Sequence, residues 1–259
     1  MALINMTLFS NILNMDTEVA ILLPENTHKM EELHPNKRYP VIYCLHGYRD
    51  NYLSWINRST LYLEAKKHEC IVVMPDCKNS FYANGENGFD YYNYVCKELP
   101  IKMANYFPIS LERKDTFIMG ASMGGYGAFL IAMKNPDKYA AAFSFSGALD
   151  FDYYNGIPFS FDQRMAKQVM GSIGGEQKYQ DNYYLRNVAT KLDKMDCEKP
   201  KFYAVCGTED PLCYKYNENY YKFIKENTSL EYYYKTSSGN HDYYFWNQYI
   251  ELAFKFFEV

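Results

Sequence analysis

Short apolar and β-branched runs alternate along the chain with longer stretches whose apolar positions recur at helical spacing. Such alternation predicts a mostly parallel sheet covered by helices. Residues 18–23, closed by Pro24, form the first clear strand, with a partner over 6–13. Residues 41–45 are apolar throughout and stop at His46-Gly47, as a strand buried on both faces would. Strands over 71–74, 116–119, 140–145, 201–206 and 231–235 continue the series. Helices are expected over 60–68, 90–107 (ended by Pro108), 123–134, 214–227 and 242–257. The alternation lapses between 148 and 200, longer than an ordinary connection. That stretch holds Tyr153-Tyr154-Asn155-Gly156, a helical pattern over 161–170 and the glycines Gly171, Gly174 and Gly175. An insertion of this length after a sheet strand predicts a lid or pocket wall.

Composition narrows the picture. At 259 residues, 48% of them hydrophobic, the chain suits one α/β domain spanning 1–259. Its 27 basic residues nearly balance 31 acidic ones, so no global positive field exists to hold nucleic acid. The start, with Asn5, Thr7 and Ser10, lacks a basic segment followed by an apolar one, and no run has the roughly 18 apolar residues of a membrane helix. Seven scattered cysteines without a C-x-x-C pair point to reduced thiols, and hence to a cytoplasmic protein with no membrane partner. The 28 tyrosines are read mainly as packing residues. A homo-oligomer is compatible with all of this.

The chemistry concentrates at Gly120-Ala121-Ser122-Met123-Gly124, which fits G-x-S-x-G with a buried strand before it and a helix after it. In that context Ser122 is the expected nucleophile. A serine hydroxyl needs a general base, and five histidines are available. His28 and His34 fall in a polar early loop, His46 precedes a strand-end turn, and His68 ends a helix. His241, after the last strand, remains. The base needs a carboxylate on its other ring nitrogen, and Asp210 lies between Ser122 and His241 in the chain, just past a strand. Glu209 is the alternate acid. Two backbone donors should receive the developing oxyanion: the N–H of Met123, and that of Tyr48 after a close-approaching Gly47.

These stretches resemble the bacterial tributyrin esterases, in the wider group of esterase D, S-formylglutathione hydrolases, feruloyl esterases and acetyl-xylan esterases. The resemblance runs in order through Leu45-His-Gly-Tyr-Arg-Asp-Asn-Tyr-Leu-Ser-Trp55, Ile71-Val-Val-Met-Pro-Asp76, Gly88-Phe-Asp-Tyr-Tyr92, Glu98-Leu-Pro100, Gly120-Ala-Ser-Met-Gly-Gly-Tyr-Gly127, Phe143-Ser-Phe-Ser-Gly147, Cys206-Gly-Thr-Glu-Asp210, and His241 with Trp246. It implies the α/β-hydrolase fold and cofactor-free, metal-free hydrolysis of short-chain acyl esters, including acetylated or hydroxycinnamoylated saccharides. It also implies the triad Ser122, Asp210 and His241 and the oxyanion donor Tyr48. The group's aromatic pair near Ser80-Phe81-Tyr82 makes Phe81 and Tyr82 candidates for the substrate cleft, with Gly47 beside them. Thioester hydrolysis of the S-formylglutathione type, or acyl transfer, would use the same triad. A peptidase would need a further selecting domain, and a pure binding module would not need an intact triad.

Overall fold

The computed structural model describes residues 1–25, 36–86, 89–150 and 173–259. Its centre is an eight-stranded sheet in the order β1-β2-β4-β3-β5-β6-β7-β8. The strands are β1 (Ala2–Ser10), β2 (Met15–Leu23), β3 (Val41–Leu45), β4 (Ile71–Pro75), β5 (Thr116–Ala121), β6 (Ala141–Phe145), β7 (Lys201–Gly207) and β8 (Tyr232–Ser237). β1 and β2 pair antiparallel and β2 joins β4 antiparallel, whereas β4, β3, β5, β6, β7 and β8 run parallel.

Alternation along each strand sorts side chains into two cores. Val41, Tyr43, Leu45, Ile71, Val73 and Ile118 face the core that takes in the helices Leu99–Tyr106, Met123–Lys134, Leu185–Asp193 and Tyr214–Asn227. Ile42, Cys44, Val72, Met74, Phe117 and Met119 face the one under Leu61–Lys67 and Ile250–Phe257. Both faces of the central strands are therefore dry, which is why these segments read as unbroken apolar runs.

Several boundaries differ from the sequence reading, each for a local reason. The first strand starts at Ala2, because the edge hairpin alternates exposed and covered residues rather than presenting an apolar run. Its turn is held by Glu98, which accepts from Ser10 Oγ at 2.5 Å, Asn11 N at 2.7 Å and Ile12 N at 3.2 Å. Glu98 lies in a π-helical turn, Tyr94–Glu98, between the helical segments Tyr91–Asn93 and Leu99–Tyr106. The C-terminal helix is two, Tyr243–Asn247 and Ile250–Phe257. A further short helix, Ser54–Arg58, carries the buried Trp55.

The expected insertion over 148–200 is in part ordinary scaffold. Its helix Leu185–Asp193 buries Leu185, Val188, Ala189 and Leu192, spaced at helical intervals, in the first core. Asp150 is clamped at 2.5 Å by both Nε and Nη2 of Arg186, fixing the chain where it leaves the sheet. The predicted helix over 161–170, Tyr153, Tyr154, Gly88, Gly171, His28 and His34 lie outside the described residues. All seven cysteines are free thiols. No described helix is long and apolar enough to cross a membrane.

Candidate active site

Ser122 follows β5 and caps the helix Met123–Lys134 with φ 55° and ψ −117°. For a residue with a Cβ this conformation costs on the order of 1–3 kcal/mol. It persists because both sides of the turn are locked. The Ser122 amide donates to Phe145 O at 2.9 Å, and Tyr126 N donates to Ser122 O at 3.1 Å. A Cβ on Gly124 would stand 2.3 Å from Leu45 O, so only glycine lets the helix start so close to β3. The elbow thus follows from contacts between strands far apart in sequence. The first N–H groups of a helix have no intrahelical partner, and that of Met123 belongs to this set.

Asp210 follows β7, and His241 follows β8. His241 Nδ1 lies 2.7 Å from Asp210 Oδ2. Asp210 Oδ1 accepts from the amides of Leu212 and Cys213, each at 2.8 Å, and the Cys206 thiol approaches Oδ2 at 3.6 Å. Burial alone would raise the Asp210 pKa. The hydrogen bond and charge of His241, with the two amides, outweigh it and hold the carboxyl below its usual range. An ionised Asp210 makes Nδ1 the protonated nitrogen of neutral His241, which leaves Nε2 as an acceptor. Trp246 stands edge-on to the imidazole at 5.3 Å between centroids, and its indole N–H donates to Ser146 Oγ at 3.1 Å.

Glu209, the alternate acid, is exposed and engaged elsewhere. Its Oε2 accepts the Gly239 amide and its Oε1 the Thr208 hydroxyl. It thereby ties down the loop that delivers His241, and the carboxylate on His241 is Asp210. His46 is scaffold: Cys77 N donates to Nε2 at 2.9 Å, so Nδ1 carries the proton and donates to Gly47 O at 2.8 Å.

A cleft of about 310 Å³ is lined by Gly47, Tyr48, Asp50, Arg58, Ser122, His241, Asp242, Tyr243 and Trp246. Ser122 and His241 share it with Gly47 and Tyr48. Tyr82 does not line it, which corrects the sequence expectation. Its side chain is fully buried, its ring packs where a Cβ on Gly127 would fall, and its hydroxyl donates to His46 O at 2.7 Å. Phe81 is 7% exposed, at φ 50°, with its ring beside those of Tyr48 and Tyr126. It packs against Tyr48, which lines the cleft. Asp50, Arg58, Asp242 and Tyr243 were missed by the sequence reading. Asp50 falls within the matching stretch 45–55 but was given no role there, Arg58, Asp242 and Tyr243 fall in none, and the fold gathers the four around the serine.

A metal reading also meets the geometry. Asp210, Cys213 and His241 bring ligand-type atoms within 4.8 Å of one another. Both Asp210 oxygens already accept two donors each, however, and burial pushes the Cys213 thiol up, so it stays protonated. The group is built as a hydrogen-bonded dyad.

Residues 10–257 match the Esterase family, described as putative esterase. The chain belongs to that family. This esterase is 28% identical to an acetyl esterase of Caldicellulosiruptor saccharolyticus, over 98% of its own length and 97% of the relative's. Among solved structures it resembles a fluorophosphonate-binding serine hydrolase of Staphylococcus aureus, at 28% identity and a TM-score of 0.85. That match covers 100% of this chain and 98% of the other. An S-formylglutathione hydrolase of the same organism matches at 27% identity and a TM-score of 0.84, covering 100% and 99%. The protein is an α/β-hydrolase and a serine carboxylic ester hydrolase.

Proposed function

We propose that this esterase hydrolyses short-chain acyl esters, acetyl esters foremost, through an acyl-serine on Ser122. The reading rests on one observation above others: an ionised, fully hydrogen-bonded Asp210 holds Nδ1 of His241, whose ring shares a cleft with a strained serine elbow. His241 Nε2 takes the Ser122 proton as Oγ attacks the ester carbonyl, and Asp210 stabilises the imidazolium. The amides of Met123 and Tyr48 receive the oxyanion. His241 then returns the proton to the departing alcohol and activates the water that releases the acid. Two features favour short acyl groups: the cleft formed by the described residues is small, and Asp50, Arg58 and Asp242 put charged groups into its lining, so less apolar surface is left to reward each added methylene at about 0.8 kcal/mol. The name of the Caldicellulosiruptor relative points the same way.

The test joins fluorophosphonate labelling with a panel of p-nitrophenyl esters from acetyl to dodecanoyl, with S-formylglutathione and methyl ferulate beside them. Labelling that vanishes in Ser122→Ala, with kcat/KM highest at two to four carbons, is the expected result. Labelling that survives in Ser122→Ala, or an optimum near twelve carbons, would overturn it.

A further inference from the structure

The cleft contains a carboxylate that the hydrolytic steps do not use. Asp50 sits in the loop after β3, its side chain only 10% exposed. The point where a Gly47 Cβ would fall lies 3.4 Å from Asp50 Oδ2 and 3.6 Å from Ser122 Cβ. Carboxylate and nucleophile thus flank the same small space. Asp50 is held by two other residues of the cleft: Arg58 Nη1 donates to Oδ1 at 2.5 Å, and the Tyr243 hydroxyl donates to Oδ2 at 3.0 Å. Burial and the neighbouring Asp50 push the Tyr243 pKa up, so the phenol remains a donor.

An ionised carboxylate offers about four acceptor sites, and these two bonds fill two. Arg58 carries five N–H groups, lines the same cleft and is half exposed, so it has donors to spare. An acceptor and a donor side by side match a vicinal diol, in which one hydroxyl donates and its neighbour accepts. A hydrocarbon leaving group would instead leave a buried carboxylate against apolar surface, which is costly.

We infer that Asp50, with Arg58, selects esters whose alcohol carries free hydroxyls next to the ester oxygen, as partly acylated glycerol or sugars do. This rests on the proposed ester hydrolysis at Ser122 and names the class of alcohol it takes. Glycerol 1-monoacetate and its 2,3-di-O-methyl ether share acyl group and ester bond and differ only in the hydroxyls. The wild-type enzyme should favour the diol in kcat/KM by on the order of ten- to a hundred-fold, the worth of one hydrogen bond to a charged group. In Asp50→Asn that ratio should fall to within about threefold of unity, since the charge is lost while the shape is kept. Gly47→Ala gives a second reading should the first variant fail to fold: its methyl would occupy the shared space and should likewise collapse the ratio. A wild-type ratio near unity, or a ratio preserved in both variants, overturns the inference. Fluorophosphonate labelling of the wild-type protein separates the two failures: a labelled enzyme with no preference loses the diol site alone, an unlabelled one loses the hydrolytic reading.

Discussion

Replacing Asp210 by Asn is the sharpest perturbation the site allows, because the surroundings dictate which way the amide turns. Oδ1 accepts two backbone N–H groups at 2.8 Å. Turning the NH2 toward them would break both bonds and set donor against donor, at about 1–3 kcal/mol for each group left unsatisfied. The amide oxygen therefore stays at the Oδ1 position and the NH2 faces His241. Nδ1 must then accept, and the proton moves to Nε2, the nitrogen that should receive the Ser122 proton. A serine-hydrolase triad in the wrong tautomer loses about 10⁴ in kcat, or some 5–6 kcal/mol of barrier. The fold should persist, since shape and both amide bonds are kept. Steady-state kcat on a soluble acetate ester measures the loss, and ¹⁵N shifts of the imidazole report the tautomer directly. Retention of more than about a tenth of the activity, a mere 1.4 kcal/mol, would refute the reasoning, as would a larger loss in Glu209→Gln.

Three further outcomes follow from individual contacts. Ser122→Gly should abolish labelling yet raise thermal stability by about 1 kcal/mol, some 2–4 °C by calorimetry, because glycine tolerates φ 55° where serine is strained. Tyr82→Phe should lower stability by about 1–3 kcal/mol in urea melts through the lost bond to His46 O, while KM stays put because the ring lies beneath the cleft. Burial raises the Glu98 pKa, but the bonds from Ser10, Asn11 and Ile12 outweigh it and the carboxyl sits below its usual range. Its stabilising contribution is thus complete above the ordinary carboxylate pKa and is lost as pH falls through the lowered one. Glu98→Gln should be less stable at pH 7 by about 1–2 kcal/mol and show a shallower acid limb.

The sequence by itself determined the parallel β3, β4, β5 and β6 series, because strands dry on both faces read as unbroken apolar runs. It likewise determined the helix Met123–Lys134, since a strand-to-helix turn this tight needs Gly120 and Gly124 where they stand. The chain order of Ser122, Asp210 and His241 was legible because each follows a strand, and the carboxyl ends of parallel strands lie together. Between Glu209 and Asp210, two adjacent carboxylates on one turn, local pattern holds no difference. Only the pairing of β7 with β8 sends one to His241 and the other to the Gly239 amide. Tyr82 and Phe81 were equally ambiguous, since an aromatic beside a cleft and one beneath it have the same composition. Asp50, Arg58 and Tyr243 come from two segments almost two hundred residues apart, and no local period links them. Side-chain alternation and turn chemistry are local and so can be read along the chain. Which charges face one another across a cavity is decided by how β3 and the helix after β8 meet, and that is a property of the packed tertiary structure alone.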